Sequence, residues 1–133
     1  MKRCLSITSI MIVFIIVSCA PQSFTPVEKT IYTTTKTLAA AKQFRHTGLQ
    51  IAGDFYKRGL IEEDVKEEII EVANELQRAI NVTADVLQIY IISKGQEEAQ
   101  ILETKILLYQ QLYGKFSELI MPYMMQNLED DNE

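Results

Sequence analysis

The feature that most restricts the fold of this chain is a stretch from Val27 to Met121 that contains no proline. Proline breaks the hydrogen bonds of a helix interior, so a proline-free stretch of this length can hold long helices. In its middle, mostly apolar residues recur at alternating steps of four and three, the spacing of one helix face. They are Val65, Ile69, Val72, Leu76, Ala79, Thr83, Val86 and Tyr90, and Ile80, Leu87 and Ile91 widen the face. This pattern predicts one long amphipathic helix.

Two further segments have a similar period. The segment after residue 95 has a face made of Ala99, Leu102, Ile106, Tyr109, Tyr113, Phe116, Ile120 and Tyr123. The segment before residue 58 is less regular, and its face consists of Ile31, Leu38, Ala41, Phe44, Gly48, Ile51 and Phe55. We interpret Gly48 and Gly53 in this first segment as marks of a bend or of a close helix crossing.

Two glycines indicate where the first two helices end. Gly59 follows Lys57 and Arg58, and Gly95 follows Lys94, so each glycine comes directly after a basic last turn. Acidic residues follow both glycines, and negative charge is favourable at the start of a helix. The links between the segments are short, which favours antiparallel neighbours.

The chain is therefore predicted to be all-α, with an antiparallel up-down-up bundle of three long amphipathic helices after an N-terminal signal segment. We expect the helices at about 28–58, 62–94 and 96–127, inside a domain that covers 28–128, and an acidic tail at 129–133. One alternative stays open, since a hairpin of the second and third segments could pair with a second copy of itself.

The N-terminus has the layout of an export signal. Lys2 and Arg3 precede an apolar run over residues 5–17. This run is short for a membrane-spanning helix, which needs roughly 20 apolar residues. The small residue Ser18 and then Cys19 follow the run. The layout resembles a bacterial lipoprotein signal peptide with its lipobox, in which a small residue precedes the cysteine that becomes the lipid-modified N-terminus.

The resemblance implies that residues 1–18 are removed and that Cys19 carries acyl chains such as palmitate. Residues 19–27 would then be a lipidated tether that holds the domain to a membrane of the bacterial cell envelope. Ala20 follows the cysteine where an acidic residue could stand, which implies the outer membrane if the host has two membranes. An uncleaved N-terminal anchor helix and an ordinary secretory signal with a coincidental cysteine are the alternatives.

Charge and cysteine content restrict the partners of the mature domain. Removing Lys2 and Arg3 from the 13 basic residues leaves 11 against 18 acidic residues, a net charge of −7. Nucleic-acid binding draws on clustered Lys and Arg, so we expect no nucleic-acid partner. With Cys4 removed and Cys19 acylated, no thiol is left for a disulfide, a catalytic nucleophile or a zinc ligand.

Candidates for catalytic or metal-binding residues are few. His46 is the single histidine and has no cysteine or second histidine to work with, so we expect it to be structural. We expect no catalytic residue, no cofactor and no resident metal ion. An acidic row of Glu63, Glu67, Glu71 and Glu75 recurs every four residues. The row is either the solvated side of an amphipathic helix or a strip that binds a divalent cation or a basic partner.

Two clusters of the third segment have both a packing and a binding interpretation. The first consists of Met121, Met124 and Met125, which either cap the hydrophobic core or form an adaptable contact surface. The second consists of Tyr109, Tyr113, Phe116 and Tyr123, which lie on one helix face and suit either core packing or an interface.

The second segment also resembles a known kind of protein. Its opening Gly59-Leu60-Ile61-Glu62-Glu63, together with Ala73-Asn74 and Asp85-Val86-Leu87, is similar to small helical lipoproteins encoded by prophages. This resemblance implies no catalytic residues and no particular activity. We therefore expect a non-enzymatic, lipid-anchored module that binds a protein partner or itself, with a phage-related role included. The alternative is a carrier of a small ligand or a divalent metal in the periplasm or at the cell surface.

Overall fold

The computed structural model of the protein describes residues 23–130, with side chains up to Gln126. Three helices follow one another: α1 (Pro26–Lys57), α2 (Glu63–Ser93) and α3 (Gln96–Asp130). Each helix packs against the other two, so the fold is an all-α three-helix bundle and the predicted fold class is confirmed. Over the described part of the chain there is no strand, and none of the helices is both long and apolar enough to cross a membrane.

The observed helix boundaries differ from the expected ones mainly at the two ends of the domain. α1 begins at Pro26, so the last two residues of the predicted tether, 19–27, are helical. α3 continues to Asp130 and takes in the first two residues of the predicted acidic tail, 129–133. The predicted signal peptide, 1–18, lies outside the described residues.

A capping box explains the early start of α1. The Thr25 hydroxyl accepts a hydrogen bond from the Glu28 N–H at 3.3 Å, and the Glu28 carboxylate accepts one from the Thr25 N–H at 2.8 Å. Two N–H groups without helical partners are satisfied in this way. Pro26 occupies the first helical position, where its missing N–H costs nothing and its fixed φ suits the helix.

The α1–α2 turn is closed by Gly59, as predicted. Gly59 has a φ of 71°, in the left-handed region that glycine adopts without steric cost. Its N–H donates to the Tyr56 carbonyl, and the N–H of Leu60 donates to the Phe55 carbonyl, both at 2.9 Å. These two bonds satisfy carbonyls at the end of α1.

The α2–α3 turn is built differently from the predicted glycine stop. The residue with positive φ is Lys94, at 50°, and not Gly95. Gly95 instead starts the next helix, because its carbonyl accepts the N–H of Ala99 at 3.1 Å. The carboxylate of Glu98 lies against Gly95 in the space that a Cβ would take. The Glu98 carboxylate thus occupies the open Cβ position of Gly95, and the left-handed backbone of the turn belongs to Lys94.

Contacts between helices establish the up-down-up order. Arg45 of α1 donates from Nε to the Ala73 carbonyl of α2 at 2.7 Å. In α2, Thr83 donates to the Lys105 carbonyl of α3 at 3.2 Å. Phe44 near the middle of α1 contacts Phe116, with ring centroids 5.7 Å apart. Nearer the end of α1, Phe55 contacts Tyr123 with ring centroids 5.6 Å apart. α1 and α3 thus run in the same direction and α2 runs against both.

The core follows the predicted apolar faces. Its largest fully buried side chains are Phe55, Phe116, Ile69, Leu76, Ile80, Leu102, Ile120, Val72 and Thr83. Each large apolar side chain buried in this way contributes about 1.5–3 kcal/mol to stability. The Thr83 hydroxyl is accommodated because it lies within hydrogen-bond distance of the Ala79 and Lys105 carbonyls. Of the face predicted for α2, Ile91 is exposed.

Gly48 allows α1 and α3 to approach closely. A Cβ on Gly48 would lie 2.7 Å from the Phe116 ring and 3.0 Å from Ile120. Contacts under 3.0 Å are shorter than real Cβ atoms make, so the α3 side chains would have to move. A Cβ on Gly53 would meet nothing within 4 Å. Gly48 therefore marks a close helix crossing, whereas the Cβ position of Gly53 points into open space.

We predict that Gly48→Ala lowers stability relative to Gly53→Ala. Both changes gain about 1 kcal/mol of helix propensity, because alanine replaces glycine inside a helix. Only the change at Gly48 overpacks the core, which typically costs about 1–3 kcal/mol. The free energy of unfolding, measured by denaturant titration with circular dichroism, should differ between the two variants by about that overpacking cost. Equal stabilities would contradict the close crossing at Gly48.

Candidate interaction surface

Among the described residues, the candidates His46 and the acidic row do not come together into a catalytic or metal-binding centre. Cys19 lies outside the described residues. His46 is exposed on α1. Between residues 23 and 130, no group of three or more histidine, cysteine or acidic side chains is placed so that it could hold a metal ion.

The acidic row divides into members with different surroundings. Glu63 pairs with Lys66 at 2.6 Å and accepts a hydrogen bond from the Tyr56 hydroxyl. Glu67 and Glu71 are exposed. Because these carboxylates do not converge, the row has the arrangement of a solvated helix side.

Tyr56, Glu63 and Lys66 form a small polar cluster that joins the end of α1 to the start of α2. The Lys66 ammonium lies 3.8 Å from the centroid of the Tyr56 ring. The pKa of Glu63 lies below its ordinary value, first because Lys66 and then because Tyr56 donates a hydrogen bond to its carboxylate. The same bond to Glu63 raises the pKa of Tyr56. Tyr56 and Glu63 are exposed and Lys66 is half-buried, so water screens the ion pair and the cluster contributes little stability.

The aromatic face of α3 packs into the core. Tyr109 and Phe116 are buried, and the ring of Tyr113 lies 5.0 Å from that of Phe44 on α1. Burial raises the pKa of Tyr109, and a hydrogen bond with Thr37 partly offsets this rise. The packing interpretation therefore holds for Tyr109 and Phe116, which are buried, whereas Tyr113 is half-buried.

The methionine cluster lies partly in the core and partly on the surface. Met124 is half-buried and packs against the core. Met121 is half-buried as well, whereas Met125 is exposed. The neighbouring Pro122 lies inside α3 on an exposed position, and the helix continues past it. The cluster thus caps one end of the core and leaves one thioether at the surface.

A shallow groove lies on the side of the bundle between α2 and α3. It is lined by Glu75, Arg78, Ala79, Val82, Lys105, Leu108 and Leu112. Its floor is aliphatic, and the charged side chains of Glu75, Arg78 and Lys105 stand beside it. Such a groove, apolar at the centre and polar around it, is typical of surfaces that bind proteins.

The groove extends along both helices toward the α2–α3 turn. Seven residues make about two helical turns, so Ile89 lies on the same face as Val82, and Ile101 on the same face as Leu108. All four side chains are exposed, by 43% to 55% of their surface. We call these four residues together with Leu112 the outer face.

The chemistry of the outer face suits association. Its side chains are aliphatic, without the nucleophile, acid or base that a reaction would need. Covering apolar surface releases about 25 cal/mol for each Å² removed from water, which can drive the docking of a complementary apolar surface. Exposed apolar patches of this kind commonly mark interaction sites.

Sequence reasoning missed the outer face although its signal is present in the sequence. Val82 and Ile89 are seven residues apart, and so are Ile101 and Leu108. Each pair forms a second apolar row beside the main apolar face of its helix. The main faces were strong enough to account for a bundle, so these additional rows had no assigned role.

Comparison of the chain with protein-family models, with curated proteins and with solved structures found no match.

We predict that Tyr56→Phe raises the pKa of Glu63 toward its ordinary value of 4.5, because one hydrogen bond to the carboxylate is lost. A carboxylate whose pKa is lowered by folding stabilises the fold above its unfolded pKa, and this contribution is lost as the pH falls through the folded pKa. In the unaltered protein the contribution of Glu63 is therefore present above about pH 4.5 and disappears below it.

The pKa of Glu63 can be followed by NMR of its side-chain carboxyl carbon over a pH titration. Tyr32→Phe is the matched control, because Tyr32 packs against Phe24 near the start of α1. The control should leave the titration of Glu63 unchanged. A Tyr56→Phe variant with the same Glu63 titration as the unaltered protein would show that the tyrosine does not hold this carboxylate.

Proposed function

We propose that this protein is a lipid-anchored, non-enzymatic interaction module of the bacterial cell envelope, which binds a protein partner or a second copy of itself through the outer face. A phage-related role in the envelope falls within this proposal. The exposed aliphatic groove between α2 and α3 is the observation that carries the interaction part.

The anchor is supported by the sequence around Cys19. A basic start, a short apolar run and a small residue before the cysteine are the features that a lipoprotein signal needs. Acyl chains bind a membrane by about 0.8 kcal/mol for each buried methylene, so two or more long chains on one residue hold a protein firmly. Ala20 after the cysteine supports the outer membrane in a host with two membranes.

The anchor would keep the bundle near the lipid surface. The first residue of α1, Pro26, comes seven positions after Cys19, and this segment reaches at most about 25 Å when extended. α1 then starts near the membrane, α2 returns toward it, and α3 ends far from it. The outer face runs along the side of the bundle, where proteins of the same envelope layer can approach it.

The proposal predicts that Cys19 carries acyl chains and that Cys19→Ser abolishes them. Mass spectrometry of protein from a bacterial host should show the loss of residues 1–18 and the added mass of lipid on Cys19. The Cys19→Ser protein should leave the membrane fraction, because the thiol that receives the lipid is gone. Cys4→Ser is the control and should behave as the unaltered protein. A Cys19 without fatty acid, or residues 1–18 still attached, would refute the anchor.

The outer face is tested with a photo-crosslinking amino acid at Leu108 in native envelopes. Gln110 is the matched control, because it is exposed on the same helix and its side chain points about 200° away around the helix axis. We expect a discrete cross-linked product from position 108 and none from position 110. A product of twice the monomer mass means self-association, and a different discrete mass means another protein. Equal products from both positions, or none from position 108, would contradict the proposed interaction.

A further inference from the structure

Exposed apolar side chains gather at the end of the bundle that holds the α2–α3 turn. Ile92 is the most exposed large apolar residue among those described, with 85% of its surface accessible. Ile89, Ile91 and Ile101 are exposed as well. Phe24, just before α1, is also exposed. We call these five residues the apolar tip.

The five residues lie close to one plane across the bundle. With a rise of 1.5 Å per residue, Ile89 and Ile101 are only about 8 Å from the turn along the helix axes. Phe24 belongs to the same end because α1 and α2 are antiparallel. The nearness of the two ends is also visible at Glu28. Hydrogen bonds from Thr25 are the main reason why the pKa of Glu28 lies below its ordinary value, and the positive charge of Lys94 adds to this lowering.

Charge around the apolar tip is close to balanced. Lys29 and Lys94 stand against Glu28, Glu97 and Glu98. The carboxylate of Glu28 already accepts hydrogen bonds from Thr25, and that of Glu98 lies over Gly95. Neither strong attraction nor strong repulsion by anionic lipid is expected from such a set. Any attraction to a membrane must therefore come from the apolar side chains.

We propose that the apolar tip inserts into the interfacial layer of the membrane that holds Cys19, with a lipid surface as its occupant. The argument is one of position, because the part of the chain that carries Cys19 joins the bundle at this end. Phe24 comes five positions after Cys19, a span of at most about 18 Å. Apolar side chains typically enter the headgroup and acyl boundary by about 5–10 Å, which matches the depth over which the tip residues are distributed.

This inference rests on the proposed acylation of Cys19, and its test is designed to separate the two. The full chain with Ile92→Cys is produced in a bacterial host, labelled with an environment-sensitive fluorophore and reconstituted into phosphatidylcholine vesicles. Acylation uses the Cys19 thiol and processing removes Cys4, so position 92 offers the single reactive thiol. Ile92 is almost fully exposed, so the substitution leaves the core untouched.

Leu60→Cys is the matched control. Leu60 is an exposed aliphatic residue in the α1–α2 turn, at the opposite end of the bundle. On reconstitution, quenching of the label by aqueous iodide should fall severalfold at position 92 and change little at position 60. Lipids brominated near the headgroup should quench the label at position 92 alone. Adding anionic lipid should alter neither result, because the charge around the tip is nearly balanced.

Three outcomes would overturn the inference. If the acylated protein floats with the vesicles but iodide quenches positions 92 and 60 equally, the tip stays in water and only the anchor survives. If position 92 is shielded from iodide but brominated lipid does not quench it, a protein surface covers the tip. If mass spectrometry finds Cys19 without lipid and the protein does not float, the anchor and the tip fail together.

Discussion

Burial of one face of α2 between the other two helices is the interaction on which the rest of the bundle depends. Ile69, Leu76 and Ile80 on this face are fully buried. Side-chain hydrogen bonds also join α2 to both of its neighbours, since Arg45 of α1 donates to the Ala73 carbonyl and Thr83 donates to the Lys105 carbonyl of α3. The mature domain would have no thiol for a disulfide, so packing of this kind has to supply its stability.

Much of this architecture could be predicted because the apolar period of α2 and α3 is long and regular. Boundaries were harder, since they depend on local hydrogen bonds. The first helix starts where Thr25 and Glu28 cap each other, and this Thr-x-x-Glu signal is readable in the sequence but was not used. The role of Gly95 could not be read from glycine propensity alone, because Lys94 takes the left-handed conformation instead.

The surfaces were less predictable than the core for a physical reason. A buried face must be apolar at every turn, and this leaves a strong period, whereas a binding surface needs only a few exposed apolar residues. Val82 lies between the polar residues Asn81 and Thr83, whereas Leu108 lies in an apolar run that the main face of α3 already explains. The two residues line one groove only when α2 and α3 pack side by side. In contrast, the acidic row is conspicuous in the sequence, yet the carboxylate of Glu63 forms an ion pair with Lys66 of the same helix.

The two proposed surfaces place different demands on the orientation of the bundle, and these demands are compatible. A tip set in the lipid would hold the helices upright, because the apolar residues lie across the end of the bundle and not along its length. Val82 is twelve residues before the α2–α3 turn residue Lys94, which puts the centre of the outer face about 18 Å above the tip. A flat orientation would bury one side of the bundle. An upright one places Ile89 and Ile101, which belong to both surfaces, at the lipid and leaves Val82, Leu108 and Leu112 of the outer face open to neighbours anchored in the same membrane. Insertion of the tip would restrict the orientations of the bundle in the membrane. This would lower the entropy cost of binding a partner.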